Sequence, residues 1–194
     1  VQDLQTFWIS LVAVTLAEIG DKTQLVAFML ATRFRQPLPI IAGLAVATTL
    51  NHVLAGTVGT LLGGWLNPVW LRWITGVGFL TMAAWALIPD RDASEPSWLA
   101  RYGAFGTTLI TFFLAEMGDK TQLATMALAA KFHAFVPVVA GTAMGMLVAD
   151  VPAVFLGAGL QRKLPLHWIR GTAALVFAVL GVLTLLGYGS SMLK

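Results

Sequence analysis

Glu18, Asp21 and Lys22 interrupt an otherwise apolar stretch, LAEIGDKTQL at 16–25, and Glu116, Asp119 and Lys120 do the same in LAEMGDKTQL at 114–123. The two stretches share nine of ten residues at an offset of 98. On a helix, the Glu and Asp stand about 60° apart, and the Lys lies about 40° the other way from the Glu. Four carboxylates and two ammoniums leave a charge of −2, which matches one divalent cation or two protons. Oxygen ligands suit Mn2+ or Ca2+, and a chain without Cys has no thiolate for softer metals. A charge at the centre of a bilayer costs about 2.5–3.5 kcal/mol even on the lenient insertion scale. The six charges should therefore face one another across the repeat axis. The alternative is a structural network of internal ion pairs, Glu18 with Lys22 and Glu116 with Lys120.

The residues around these charges add to the site. Gln24 and Gln122 offer amide oxygens as further metal ligands. Thr23 and Thr121 point away from the Glu–Asp edge of an ideal helix and either hydrogen-bond their own backbone or join the site after a break. Gly20 and Gly118 fit either close helix packing or a broken helix that frees carbonyl oxygens for an ion. Lys22 and Lys120 tune the charge. Asn51, His52 and Asp150 lie in two other apolar runs, as a proton path or second site. Asp150 aligns with His52 at the same offset of 98, so there the repeat departs from symmetry.

What must position these residues is an apolar chain. Of 194 residues, 58% are hydrophobic and 11% charged, against about 25% charged in soluble domains. Such a chain belongs in the lipid bilayer. The net charge of +3 comes from scattered basic residues, not a stripe that could neutralise phosphates, so no nucleic-acid partner is expected. The glycine runs lack the Lys-Ser/Thr of a phosphate loop and read as packing seams. The opening VQDLQTF lacks the basic segment of a signal peptide.

Apolar runs at about 4–32, 38–62, 69–88, 103–130, 135–160 and 167–187 predict an all-α integral membrane protein. The expected fold is six transmembrane helices as two inverted three-helix repeats, residues 1–95 and 96–194, forming a single transport domain. A continuous first helix would be about 43 Å long against a hydrocarbon core of about 30 Å. It must tilt, project or break, and Gly20 is the cheapest place to break. Basic residues at 33, 35, 91, 101, 162, 163 and 170 put the loops at 33–38, 89–102 and 161–167 in the cytoplasm and both termini outside. Trp8, Trp65, Trp70, Trp73, Trp98 and Trp168 read as an aromatic belt.

E-x-G-D-K-T, twice at a fixed period, resembles the Gdt1-type family, the second calcium/cation antiporter family of bacterial manganese exporters and Golgi manganese/calcium transporters. The resemblance covers essentially the whole chain. It implies that Glu18, Asp21, Glu116 and Asp119 are the functional acids, with Lys22, Lys120, Thr23 and Thr121 completing the motif. It also implies export of Mn2+, with Ca2+ as the second candidate, in exchange for protons by alternating access. The partners would be divalent ions, protons and the lipid bilayer, with no bound cofactor. The short central loop places the chain in the inner (plasma) membrane of a bacterium. A divalent cation channel, or a membrane scaffold with an ion-pair core, is the alternative. A secondary transporter rather than an enzyme is expected, because no nucleophile accompanies the acids.

Overall fold

Gly20 and Gly118 adopt φ of 83° and 76°, a left-handed backbone that a side chain resists and glycine accepts. Each therefore ends one helix and turns the chain into the next. Close packing does not explain Gly118, since a Cβ there would meet nothing within 4 Å. The computed structural model describes residues 2–88, 102–156 and 166–187. Before the central segment come α1 (Gln2–Glu18), α2 (Lys22–Phe34), α3 (Pro37–Trp65) and α4 (Pro68–Ala86). After it come α5 (Gly103–Glu116), α6 (Lys120–Phe132), α7 (Phe135–Leu156) and α8 (Leu166–Leu185). Arg91, Arg101, Arg162 and Lys163, on which part of the orientation reading rests, and Trp98 of the expected aromatic belt lie outside the described residues.

The expected six transmembrane helices in two inverted three-helix repeats give way to this arrangement. The described residues form eight helices, of which Pro37–Trp65 and Phe135–Phe155 are long and apolar enough to cross a membrane. The main cause is the pair of glycine breaks. They cut the two motif-bearing runs into helices of 17 and 13 residues, and of 14 and 13 residues, short of the roughly 20 needed to span. The helix α4 has 19 residues with Arg72 near its start, and the apolar part of α8 is Ala174–Leu185.

The corresponding helices of the two sequence copies interlock. The helix α1 packs on α7 and α5 on α3, while α2 packs on α7 and α6 on α3. A Cβ at Gly43 would lie 2.6 Å from the Phe105 carbonyl oxygen and 3.0 Å from Thr108 Cβ. One at Gly141 would lie 2.5 Å from the Phe7 carbonyl oxygen and 2.9 Å from Ser10 Cβ. The same close approach is thus made twice, each time between helices of opposite copies. One apolar cluster gathers Ala13, Ala17, Phe79, Leu128 and Phe177, and another Val26, Leu30, Leu44 and Phe112. Outside them, Val46, Leu50, Leu54, Val58, Leu61 and Trp65 form an exposed stripe along α3. An apolar stripe of that length suits lipid rather than water.

Candidate metal centre

The two breaks are built alike. Asp21 and Asp119 take the N-cap positions of α2 and α6 with extended backbone, φ −80° in both. An N-cap Asp ordinarily turns its carboxylate back onto the following amides, but neither makes that bond. Capping passes to the glutamine three residues on. The Gly20 amide donates to Gln24 Oε1 at 2.8 Å, and the Gly118 amide to Gln122 Oε1 at 2.7 Å. The amide oxygens that the sequence offered to a metal are thus engaged in holding the breaks. Gln24 also donates from Nε2 to the Ala149 carbonyl at 2.8 Å.

The freed aspartates pair across the copies. Lys22 reaches Asp119 at 3.3 Å, and Lys120 reaches Asp21 at 2.8 Å. The crossed pairs set the charges of the two copies against one another, and the internal pairs of the alternative network, Glu18 with Lys22 and Glu116 with Lys120, are not seen among the described residues. The reason is local: a left-handed residue between Glu and Asp removes the regular helix on which i,i+4 pairing depends. The threonines swing toward their own glutamates after the break. Thr23 donates to Glu18 Oε2 at 2.9 Å, and Thr121 to Glu116 Oε2 at 3.3 Å.

One carboxylate oxygen each from Glu18, Glu116 and Asp119 lie within 4.8 Å of one another. Oxygens on opposite sides of a Ca2+ stand about 4.6–5.2 Å apart, from its bond lengths of about 2.3–2.6 Å, so the three could share one hard cation. All three residues are buried, and among the described residues Glu18 Oε1, Glu116 Oε1 and Asp119 Oδ2 have no hydrogen-bond partner. Bare carboxylate oxygens away from water are costly unless a cation or a proton meets them. Asp21 and Asp150 stand outside this group of three.

Asn51, His52 and Asp150 are buried beside the motif helices rather than within the triad. Asn51 donates to the Phe113 carbonyl at 3.1 Å and so braces α5. His52 Nδ1 meets Thr125 Oγ1 at 2.7 Å, while the Thr125 hydroxyl donates to the Thr121 carbonyl at 2.8 Å. The single hydroxyl hydrogen is thereby used, so His52 must carry its proton on Nδ1. Asp150 is fully buried, with Oδ1 3.3 Å from the Thr23 hydroxyl oxygen. Sequence reasoning missed Thr125, although it lies four residues beyond Thr121 on the same helical face. The backbone partners Ala149 and Phe113 left no signal in side-chain chemistry.

A family described as “Divalent cation/proton antiporter GDT1” matches the chain over residues 6–94 and 104–191. A Vibrio cholerae protein named “Putative manganese exporter” is 47% identical over 177 residues, 91% of this chain and 88% of its own length. A GDT1-like protein of Synechocystis is 32% identical, covering 91% of this chain and 96% of its own length. A GDT1-like protein of Arabidopsis thaliana is 27% identical, over 94% of this chain and 96% of its own length. No solved structure matches the chain.

Proposed function

This chain belongs to the Gdt1 family of divalent cation/proton antiporters, and on that footing we propose that it exports Mn2+ from a bacterial cell in exchange for protons, with Ca2+ as the second substrate. It is a membrane transporter rather than an enzyme. The observation that carries the proposal is the buried triad of Glu18, Glu116 and Asp119, three carboxylates drawn from both copies with oxygens that no hydrogen bond among the described residues satisfies. The relative named as a manganese exporter, nearly half identical along most of both chains, supports Mn2+ as the cargo.

The residues divide the work by position. Glu18 and Glu116 are the acids that hold either the cation or protons. Asp119 completes the cation's oxygen set, and Lys22 must leave it as the ion arrives. Lys120 stays on Asp21 and keeps that charge compensated. Gln24 and Gln122 hold the two breaks, and Thr23 and Thr121 orient the glutamates. The halves 1–95 and 96–194 act as one transport unit, since neither supplies the triad alone. Protons compete with the cation for the same oxygens, so cation affinity falls as pH falls. A face open to a more acidic exterior therefore discharges Mn2+ and takes up protons. The other face returns the protons to the cytoplasm. We place the protein in the inner membrane of the bacterium, with Arg33 and Arg35 on the cytoplasmic side.

The test is exchange in sealed liposomes, reading vesicle Mn2+ and internal pH together. Mn2+ should move when a pH gradient is imposed, with protons moving the opposite way. Mn2+ flux that ignores the gradient and leaves internal pH unchanged would favour a channel. No flux would leave the ion-pair scaffold.

A further inference from the structure

Asp150 stands outside the triad, yet it shares a hydroxyl with it. Thr23 Oγ1 lies 2.9 Å from Glu18 Oε2 and 3.3 Å from Asp150 Oδ1. A threonine hydroxyl has one hydrogen to give and lone pairs to accept. Two ionised carboxylates cannot both be served by that hydrogen. We infer that Asp150 works as a neutral carboxylic acid, donating its own hydrogen to Thr23 Oγ1 so that the Thr23 hydrogen is committed to Glu18 Oε2. Glu18 is then held by one oxygen, and Oε1 is left to the cation.

Three observations converge on this assignment. The first is the absence of a counter-ion. Asp150 is 0% exposed, and among the described residues its polar partner is Thr23, while Lys22 and Lys120 are engaged by Asp119 and Asp21. The second is the charge count. The titratable groups gathered here are Glu18, Asp21, Glu116, Asp119 and Asp150, with Lys120 and His52, all buried, and the half-buried Lys22. The two lysines cancel the two aspartates they pair with. A divalent cation cancels two more charges, and Glu18 and Glu116 supply those two. An ionised Asp150 would be a surplus charge in a low-dielectric interior, whereas a protonated one leaves only Oδ2 without a partner, as a carbonyl.

The third observation is the repeat. His52 occupies the position equivalent to Asp150, and it donates through Nδ1 to Thr125 on the motif helix of the opposite copy. Asp150 likewise addresses a threonine on the motif helix of the opposite copy. His and Asp share little chemistry when the Asp is charged. They share a role when both are neutral donors to a threonine hydroxyl. Asp150 is thus a positioning residue for Glu18, acting through Thr23.

This inference rests on the triad being the cation site, and the experiment separates the two. Asp150→Asn keeps the shape and offers an amide hydrogen where the acid offers its own. Asp150→Leu removes the donor, and Thr23→Val removes the hydroxyl between. Mn2+ binding to the purified protein should be within about twofold of wild type for D150N and about tenfold weaker or more for D150L and T23V, as expected when a hydrogen bond to a charged group is lost. The double variant D150L/T23V should lose little beyond either single one, because both act on one chain of bonds. The number of protons exchanged per Mn2+ should be unchanged in D150N. Loss of binding in D150N to the level of D150L, or a changed proton count, would overturn the assignment by making Asp150 a charged participant. An infrared spectrum of the Mn2+-free protein at neutral pH gives a reading independent of transport. It should show a protonated carboxylic acid band that D150N removes, and its absence from wild type would equally overturn the inference. A wild-type protein that shows the band but binds no Mn2+ would instead strike the proposed function alone.

Discussion

In the first motif copy, Lys22 keeps 21% of its side chain exposed and reaches its aspartate at 3.3 Å; in the second, Lys120 is 4% exposed and reaches its aspartate at 2.8 Å. The aspartate that Lys22 holds, Asp119, belongs to the carboxylate triad, and the one that Lys120 holds, Asp21, does not. The glycine break, the glutamine cap and the threonine–glutamate bond are common to both copies. The shared features build a frame in which two helix termini face each other. On the proposed reading, the unshared ones decide which of two equivalent aspartates yields to a cation. A looser, partly wet ion pair can open at modest cost, while a tight buried one cannot be broken without stranding a charge. On the proposed reading, duplication supplies the cage, and departure from symmetry selects the place within it where the cation binds.

The largest effect should come from treating the copies as independent and failing. Glu18→Gln and Glu116→Gln each remove one titratable oxygen pair while keeping shape. Either should reduce Mn2+/H+ exchange in liposomes to background with the melting temperature preserved. Substantial exchange in one but not the other would mean that one copy carries the site alone.

The lysines sharpen the comparison next. Lys120→Gln takes the buried cation from Asp21 and should cost about 3–5 kcal/mol of stability, the usual penalty for breaking a buried pair. Lys22→Gln should cost about 1 kcal/mol or less, as for a solvent-screened pair, and should tighten Mn2+ binding while slowing release. Thermal melts and Mn2+ titrations of both variants read this directly. Equal losses in the two would erase the distinction drawn here between an opening pair and a fixed one.

The smallest effect concerns the frame itself. Gly118→Ala meets open space, so its cost is that of a left-handed backbone alone, about 1–2 kcal/mol. Gly20→Ala should cost about the same, because both glycines sit in the left-handed region, at φ of 83° and 76°. Chemical denaturation of the pair checks it, and a several-fold difference would show that the two breaks are not equivalent elements.

Much of this could be read from the sequence, for reasons that also mark its limits. Charged residues in apolar surroundings are so costly that Glu18, Glu116 and Asp119 had to find company, and a repeat at a fixed offset said where to look. The glycine between Glu and Asp signalled a break without deciding for one. That decision depends on backbone angles, and it carried the span count with it: an uninterrupted apolar run reads the same whether it forms one helix or two. Once the helix breaks, i,i+4 geometry no longer applies, so the ion pairs cross between copies instead of staying within one. The same break turned Gln24 and Gln122 back to accept from the backbone amides of Gly20 and Gly118. Asp150 and His52 stood out by type, but their shared relation to threonines of the opposite copy exists only in three dimensions.

The central claim is that both copies contribute to one cation site. Mn2+ titrated into the purified protein at neutral pH and followed by electron paramagnetic resonance counts bound ions directly. The expected result is one high-affinity Mn2+ per chain, lost in Glu18→Gln and equally in Glu116→Gln. Two equivalent Mn2+ per chain, with one surviving each substitution, would contradict it.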